Sequence, residues 1–273
     1  MTNLLDPMLD IVFKKIFGNP ETPEVTIDFL NAVLQDEDPI TSIRFAETEL
    51  TPDYFSDKYP RLDIRATTSN KQEVNIEVQV NDTDNMLKRS MFYGCKLFTD
   101  QLKKGQPYET IDRTVCINIV DHIIFPNEKD YHNCYKLLNT ETHNLLFNDF
   151  EIHYIEIPKY IISQQLSDND LDIWTEFIKD PYSKNIQIYK QKIRSLNIAE
   201  ETLIKVSSDK TERYLAEKRE EGIRERLSSL AFAENKGIAK ERQALKLRAD
   251  KLLQEGKITK EVYNTMLGNM EGE

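Results

Sequence analysis

The sequence predicts an α/β fold, a mixed sheet flanked by helices, followed by a helical C-terminal region. The stretch LDIRATTSNKQEVNIEVQV, Leu62 to Val80, holds two runs of alternating apolar and polar residues around a short polar break, the pattern of a half-buried hairpin. Val115 to Ile124 is apolar at nearly every position, the mark of a strand covered on both faces. Helical patterns interleave with these strands, and from Asp168 onward the character changes to helices.

The first helix is predicted from Asp6-Pro7, with Asp as cap and Pro at the first helical position, to a stop at Gly18. Leu9, Val12, Phe13, Ile16 and Phe17 then share one apolar face. Asp10 and Lys14 lie four apart on this helix, and spacing alone makes them a solvated ion pair. Thr22-Pro23 opens a second helix through Leu34, expected to pack on the first. Ile40 to Leu50 reads as a strand, and Pro52 and Pro60 mark a connection whose Asp53 and Asp57 read as loop acids.

The hairpin has a definite register. Ser69-Asn70-Lys71 suits a three-residue loop, with Asn70 tolerating the left-handed conformation such a loop needs. Thr68 then faces Gln72, Arg65 faces Asn75, Ile64 faces Ile76, and Asp63 faces Glu77. Directly opposed side chains have Cβ atoms ~5 Å apart, and two like charges there are destabilising unless something neutralises them. A divalent cation would do so: Asp63 and Glu77 supply hard oxygen ligands, and Gln79, two residues on, points to the same side.

Asp82-Thr83-Asp84 offers a cap for a helix from about Asn85 to Lys104, ended by Gly105. Arg89, Tyr93 and Lys96 occupy one side of it, which on spacing alone is a solvated Arg and Lys beside a half-buried Tyr. Glu151 to Ile157 is a further strand, closed by Pro158. His122, His132, His143 and His153 are too far apart for a local metal motif, and each reads as a surface or strand-end histidine. Nucleotide-binding and nucleophile-elbow fingerprints are absent. Leu171, Trp174, Phe177 and Ile178 form a helical stripe, Pro181 interrupts it, and a charged helical stretch begins near Asn185. The Gly-containing block at Gly222 recurs loosely at Gly237, 15 residues on and close to four helical turns. Such a tail fits a long helix, an oligomerising arm or a partly disordered segment, and an interaction role is preferred.

Composition bounds the function. The 273 residues are 30% charged and 39% hydrophobic, and no apolar run reaches the ~18 residues of a membrane span. The first residues lack the basic end and apolar block of a secretory signal. Cys95, Cys116 and Cys134 are an odd number without a CxxC pair, as for reduced thiols in the cytoplasm. The net charge of −11 arises within residues 1 to 199, which argues against a broad basic nucleic-acid face. Local clusters and a bound metal remain as ways to receive a phosphate backbone.

The acid at Asp63 followed by Glu77-Val78-Gln79 resembles the PD-(D/E)XK nuclease superfamily, whose second strand carries acid-x-Lys. More narrowly, LDIRA and NIEVQV, then Arg89-Ser90 and Tyr93, are similar to the recombination-promoting, transposase-like nucleases, in which Gln commonly replaces that Lys. The blocks DPMLDIVFKKIFG and EIHYIEIPKY extend the likeness from Asp6 to about Lys159. The resemblance implies a restriction-endonuclease-like domain over residues 1–165, with a helical extension over 166–207 and a charged tail over 208–273. It implies a DNA endonuclease of recombination or mobile-element biology, dependent on Mg²⁺ with Mn²⁺ able to substitute. Asp63, Glu77 and the Val78 carbonyl would hold the metal, with Asp10 as an added acid, and Gln79 would orient the attacking water. Lys14, Arg89 and Tyr93 would contact DNA phosphates. The missing Lys and the acidic charge also fit a second reading, a degenerate nuclease fold kept as a binding or regulatory module.

Overall fold

Strands β1 (Ile43–Phe45), β2 (Ile64–Thr68), β3 (Glu73–Gln79), β4 (Thr114–Val120), β5 (His132–Lys136) and β6 (Phe150–Glu156) form one sheet in the order β1-β2-β3-β4-β6-β5. This is a computed structural model, and it describes residues 4–46, 64–80 and 85–268. The sheet is mixed, as expected: β1, β2 and β3 are antiparallel, β3, β4 and β6 run parallel, and β5 returns antiparallel along β6.

The hairpin register is the one its alternation requires, with Ile64 opposite Ile76 and Arg65 opposite Asn75. The left-handed residue is not Asn70 but Lys71, at φ 56°. Thr68 N–H bonds the Gln72 carbonyl at 3.0 Å and Lys71 N–H the Thr68 carbonyl at 3.0 Å, so the three-residue loop is the expected one and its left-handed position is the last of the three. Asn70 instead spends its amide on the Asp38 carbonyl at 2.7 Å. Of the strand expected over Ile40 to Leu50, β1 is the described part; Asp53, Asp57 and Asp63 lie outside the described residues.

Pleating gives the sheet two faces. One carries Ile64, Ala66, Val74, Ile76, Val115 and Ile117, all buried. Helix α1 (Asp10–Phe17) meets this face where Gly18 approaches Ile64. Its start is three residues later than the Asp6-Pro7 signature implies, because the Asp6 carboxylate accepts from Met8 N–H at 2.8 Å and caps a preceding turn. The apolar stripe is as read from sequence: Leu9, Val12, Phe13, Ile16 and Phe17 are buried. Helix α2 (Pro23–Leu34) begins after Thr22 and packs on α1.

The other face is covered by α3 (Met86–Asp100), which buries Met86 against Cys116, Val120, Phe150, Ile152 and Tyr154. Close approach depends on Gly94: a Cβ there would come within 2.8 Å of the Phe150 ring and 3.0 Å of Cys116 Sγ. The chain then turns at Gly105, φ 87°. Helices α4 (Asp170–Lys179), α5 (Lys184–Tyr189) and α6 (Arg194–Ser208) follow, α4 packing on α2, and α6 on both α1 and α2. Trp174 on α4 closes an aromatic cluster, with ring centroids 5.5 Å from Phe17 and 6.3 Å from Phe29.

The chain divides into two units, residues 1–219 and 220–273. Helix α7 (Lys210–Gln254) contains both Gly222 and Gly237, so of the alternatives for the tail the structure gives the helix. Within the second unit Gly256, φ 64°, ends α7, and Tyr263 on α8 (Lys260–Gly268) donates to Asp250 at 2.6 Å. Among the described residues no helix is long and apolar enough to cross a membrane.

Candidate active site

Glu77 sits near the end of β3 on the face covered by α3, and it is 2% exposed. A carboxylate this dry needs compensation, which comes from residues on two elements, α3 and β3. From α3, Arg89 donates Nη2 to Glu77 Oε2 at 3.3 Å and Nη1 to Gln79 Oε1 at 3.4 Å. Asn75, two residues back on β3, donates Nδ2 to Glu77 Oε1 at 3.4 Å. From β4, Asn118 pairs with Glu77 across the sheet and donates to Ser90 Oγ on α3 at 2.8 Å, which ties that helix to the strand beneath the site. Tyr93, one helical turn from Arg89, lies under the guanidinium, 5.6 Å from the ring centroid.

The bonds to Glu77 are long against the 2.7–3.2 Å of about optimal N–H···O contacts, so they hold the carboxylate loosely. Burial pushes the Glu77 carboxyl above its ordinary value, and the Arg89 charge and the Asn75 bond offset this only in part. Asn75 Oδ1 and Arg89 Nε are buried with no hydrogen-bond partner among the described residues. Burial also raises the Tyr93 hydroxyl, with Arg89 opposing, so it stays protonated and able to donate.

The structure therefore brings together Glu77, Gln79, Arg89 and Tyr93 of the residues singled out by sequence. Val78 is buried with its side chain on the opposite face, toward Ile76. Asp63 lies outside the described residues. Asp10 is not paired with Lys14 in the manner its spacing suggests: its carboxylate is gripped by Arg219, at 2.9 Å from Nε and 2.6 Å from Nη2. Lys14 is on the same helix, its carbonyl accepting from Gly18 N–H. Neither α1 residue touches Glu77, because α1 covers the other face of the sheet. Lys96 pairs with Asp100 at 2.8 Å.

Sequence reasoning missed Asn75 and Asn118. The signal for Asn75 was present, since a polar residue two before Glu77 must share its side. Asn118 sits in a run otherwise apolar, and its role needs the β3–β4 register. His153 is corrected outright: it is a buried residue within β6, and the β5–β6 register sets it opposite Cys134.

Comparison with curated proteins and with solved structures returned no match. A family model described as PD-(D/E)XK nuclease family transposase matches residues 7–233, which takes in the whole sheet and the helices on both its faces. The order of strands, the acid-bearing hairpin and the helix behind it fit that match, and the chain belongs to the PD-(D/E)XK nuclease family transposases.

Proposed function

We propose that the protein is a divalent-metal-dependent DNA endonuclease acting in recombination or mobile-element biology, with Glu77 at the centre of its site. The observation that carries this reading is a buried carboxylate held, among the described residues, only by long bonds, beside an Asn75 oxygen with no partner among those residues and over a helix that presents Arg89 and Tyr93. A residue whose charged form is disfavoured by burial gains most from a cation. The donor set is all oxygen, which suits Mg²⁺ and allows Mn²⁺.

Glu77, the Val78 carbonyl and Asp63 would hold the ion; in sequence Asp63 precedes Ile64, the residue that pairs with Ile76. Asp10, on the helix over the other face and held by Arg219, is left out of this ligand set. Bound there, the ion would polarise a scissile phosphate and acidify a water. Gln79 would hold that water by its amide, and being uncharged it would leave the growing negative charge on phosphate to Arg89. Tyr93 supports Arg89 from below and donates to a backbone phosphate.

Three free cysteines fit a reducing, cytoplasmic setting, and residues 208–273 serve as an interaction arm. Residues 1–165 form the nuclease-like domain, and 166–207 the helical extension. Supercoiled plasmid should be nicked by the purified protein with Mg²⁺ or Mn²⁺ and left intact with EDTA. Intact plasmid in every condition, with binding retained, would favour the non-catalytic module instead.

A further inference from the structure

The β5–β6 edge gathers a second set of ligating side chains that the nuclease site does not use. The antiparallel register sets Cys134 opposite His153 and Lys136 opposite Glu151. Alternation along β6 keeps Glu151 and His153 on one side, so four side chains from two strands converge. Cys134 Sγ lies 3.7 Å from His153 Nε2, and Glu151 Oε1 lies 3.3 Å from the same nitrogen. All three donor atoms are within 4.8 Å of one another.

We propose that Cys134, Glu151 and His153 form a second metal site, for a borderline-soft divalent ion such as zinc, distinct from the site at Glu77. The spacing is the first reason. Bonds of about 2.3 Å to sulfur and 2.0–2.1 Å to nitrogen or oxygen, set at tetrahedral angles, separate the donors by roughly 3.3–3.6 Å. One edge, at 3.3 Å, already lies in this range and a second, at 3.7 Å, is just outside it, before any ion draws the ligands in. The donor chemistry is the second. Thiolate, imidazole and one carboxylate select zinc-like ions over Mg²⁺, which takes oxygen alone.

The outer contacts are the third. A metal-bound imidazole usually makes a hydrogen bond through its other nitrogen, and His153 Nδ1 is 2.9 Å from His132 Nε2. That contact leaves Nε2 facing Cys134 and Glu151. Glu151 is likewise positioned, by Lys136 at 2.9 Å on Oε2 and Arg113 at 2.5 Å on Oε1. Arg113 is balanced in turn by Asp36 at 2.7 Å. Oε1 keeps a second lone pair for a ligand.

The two sites are on opposite faces. His153 pairs with Ile117 and Ile117 with Ile76, so the trio points to the α1 side, whereas Glu77 points to the α3 side. Cys134 is exposed on the edge strand and Glu151 and His153 are buried, so the ion would enter from the edge and clamp β5 to the sheet. A fourth position stays open to water.

The test uses full-length, metal-free protein titrated with Co²⁺, whose bonds to thiolate give a charge-transfer absorption. One equivalent should bind with that band, Zn²⁺ should displace it, and Mg²⁺ should not. Glu77→Ala should keep the band, which separates this site from the nuclease reading. Cys134→Ser, on an exposed edge position, should abolish it while leaving the melting temperature in EDTA unchanged. His153→Gln should abolish it too if the variant folds. Failure of wild type to develop the band overturns the proposal. So does a band of equal strength in Cys134→Ser, which would place the cobalt on another cysteine.

Discussion

Replacing Glu77 by glutamine should stabilise the metal-free protein, although it removes an ion pair. The Glu77 side chain is 3% exposed and its partner Arg89 is 34% exposed. A guanidinium that keeps much of its hydration makes a screened pair worth no more than about 1 kcal/mol. Burying an ionised carboxylate costs several kcal/mol, so the charge penalty wins. Glutamine keeps the shape and an acceptor for Arg89. A net gain of roughly 1–2 kcal/mol would raise the melting temperature by about 2–8 °C for a unit of this size. The gain should depend on pH. An acid whose folded value is raised carries its full penalty above that value and none below the ordinary 4.5, so the advantage of Glu77→Gln should shrink as pH falls from neutrality toward 4.5. Magnesium reverses the ranking: at a hundredfold excess over its dissociation constant it should add about 2.7 kcal/mol to wild type and little to the variant. Calorimetry of both proteins, in EDTA and in Mg²⁺, decides the matter. A variant that melts lower in EDTA and responds to Mg²⁺ as strongly as wild type would refute the reasoning.

Gln79→Ala should slow cleavage less than Glu77→Ala, since it loses a positioned water and keeps the metal, and Gln79→Lys should retain or raise the rate; a folded Lys variant as inactive as Glu77→Ala would show Gln79 to be structural. Gly94→Ala should destabilise by up to about 2 kcal/mol, because overpacking against Phe150 and Cys116, worth about 1–3 kcal/mol, outweighs the ~1 kcal/mol that alanine gains in a helix, and an unchanged melting temperature would contradict the tight α3 contact. A chain ending at Arg219 should unfold cooperatively at the wild-type temperature, since the sheet and the aromatic cluster precede that point. Light scattering that gives one size with and without residues 220–273 would remove the oligomerising role.

Local pattern made the hairpin legible. Ile64 and Ala66 against Val74 and Ile76 fix the register by burial alone, since a slip of one residue would turn every apolar side chain outward. The same logic exposed the stripes of α1 and α4. Strand β5 was not legible, because HNCYK has neither alternation nor an apolar run, and its pairing with β6 forms across an intervening loop. The Cys134, Glu151 and His153 cluster stayed hidden for that reason, as did the burial of His153. Within the candidate site, Glu77 and Gln79 could be read from strand alternation, whereas Arg89 reads on spacing alone as a solvated cation and enters only through the family resemblance. The grip of Arg219 on Asp10 could not, since it joins residues 209 apart in sequence. Left-handed backbone at Lys71 instead of Asn70 reflects turn geometry overriding residue preference, at a position where Asn70 has a better bond elsewhere.

The central claim is that a metal held by Glu77 and Asp63 cuts DNA. Single-turnover cleavage of supercoiled plasmid, followed in Mg²⁺ for wild type, Asp63→Ala and Glu77→Ala, tests it most directly. Each variant should lose activity by orders of magnitude while keeping its fold, because each lacks a metal ligand. Cleavage at the wild-type rate by both folded variants would contradict the account.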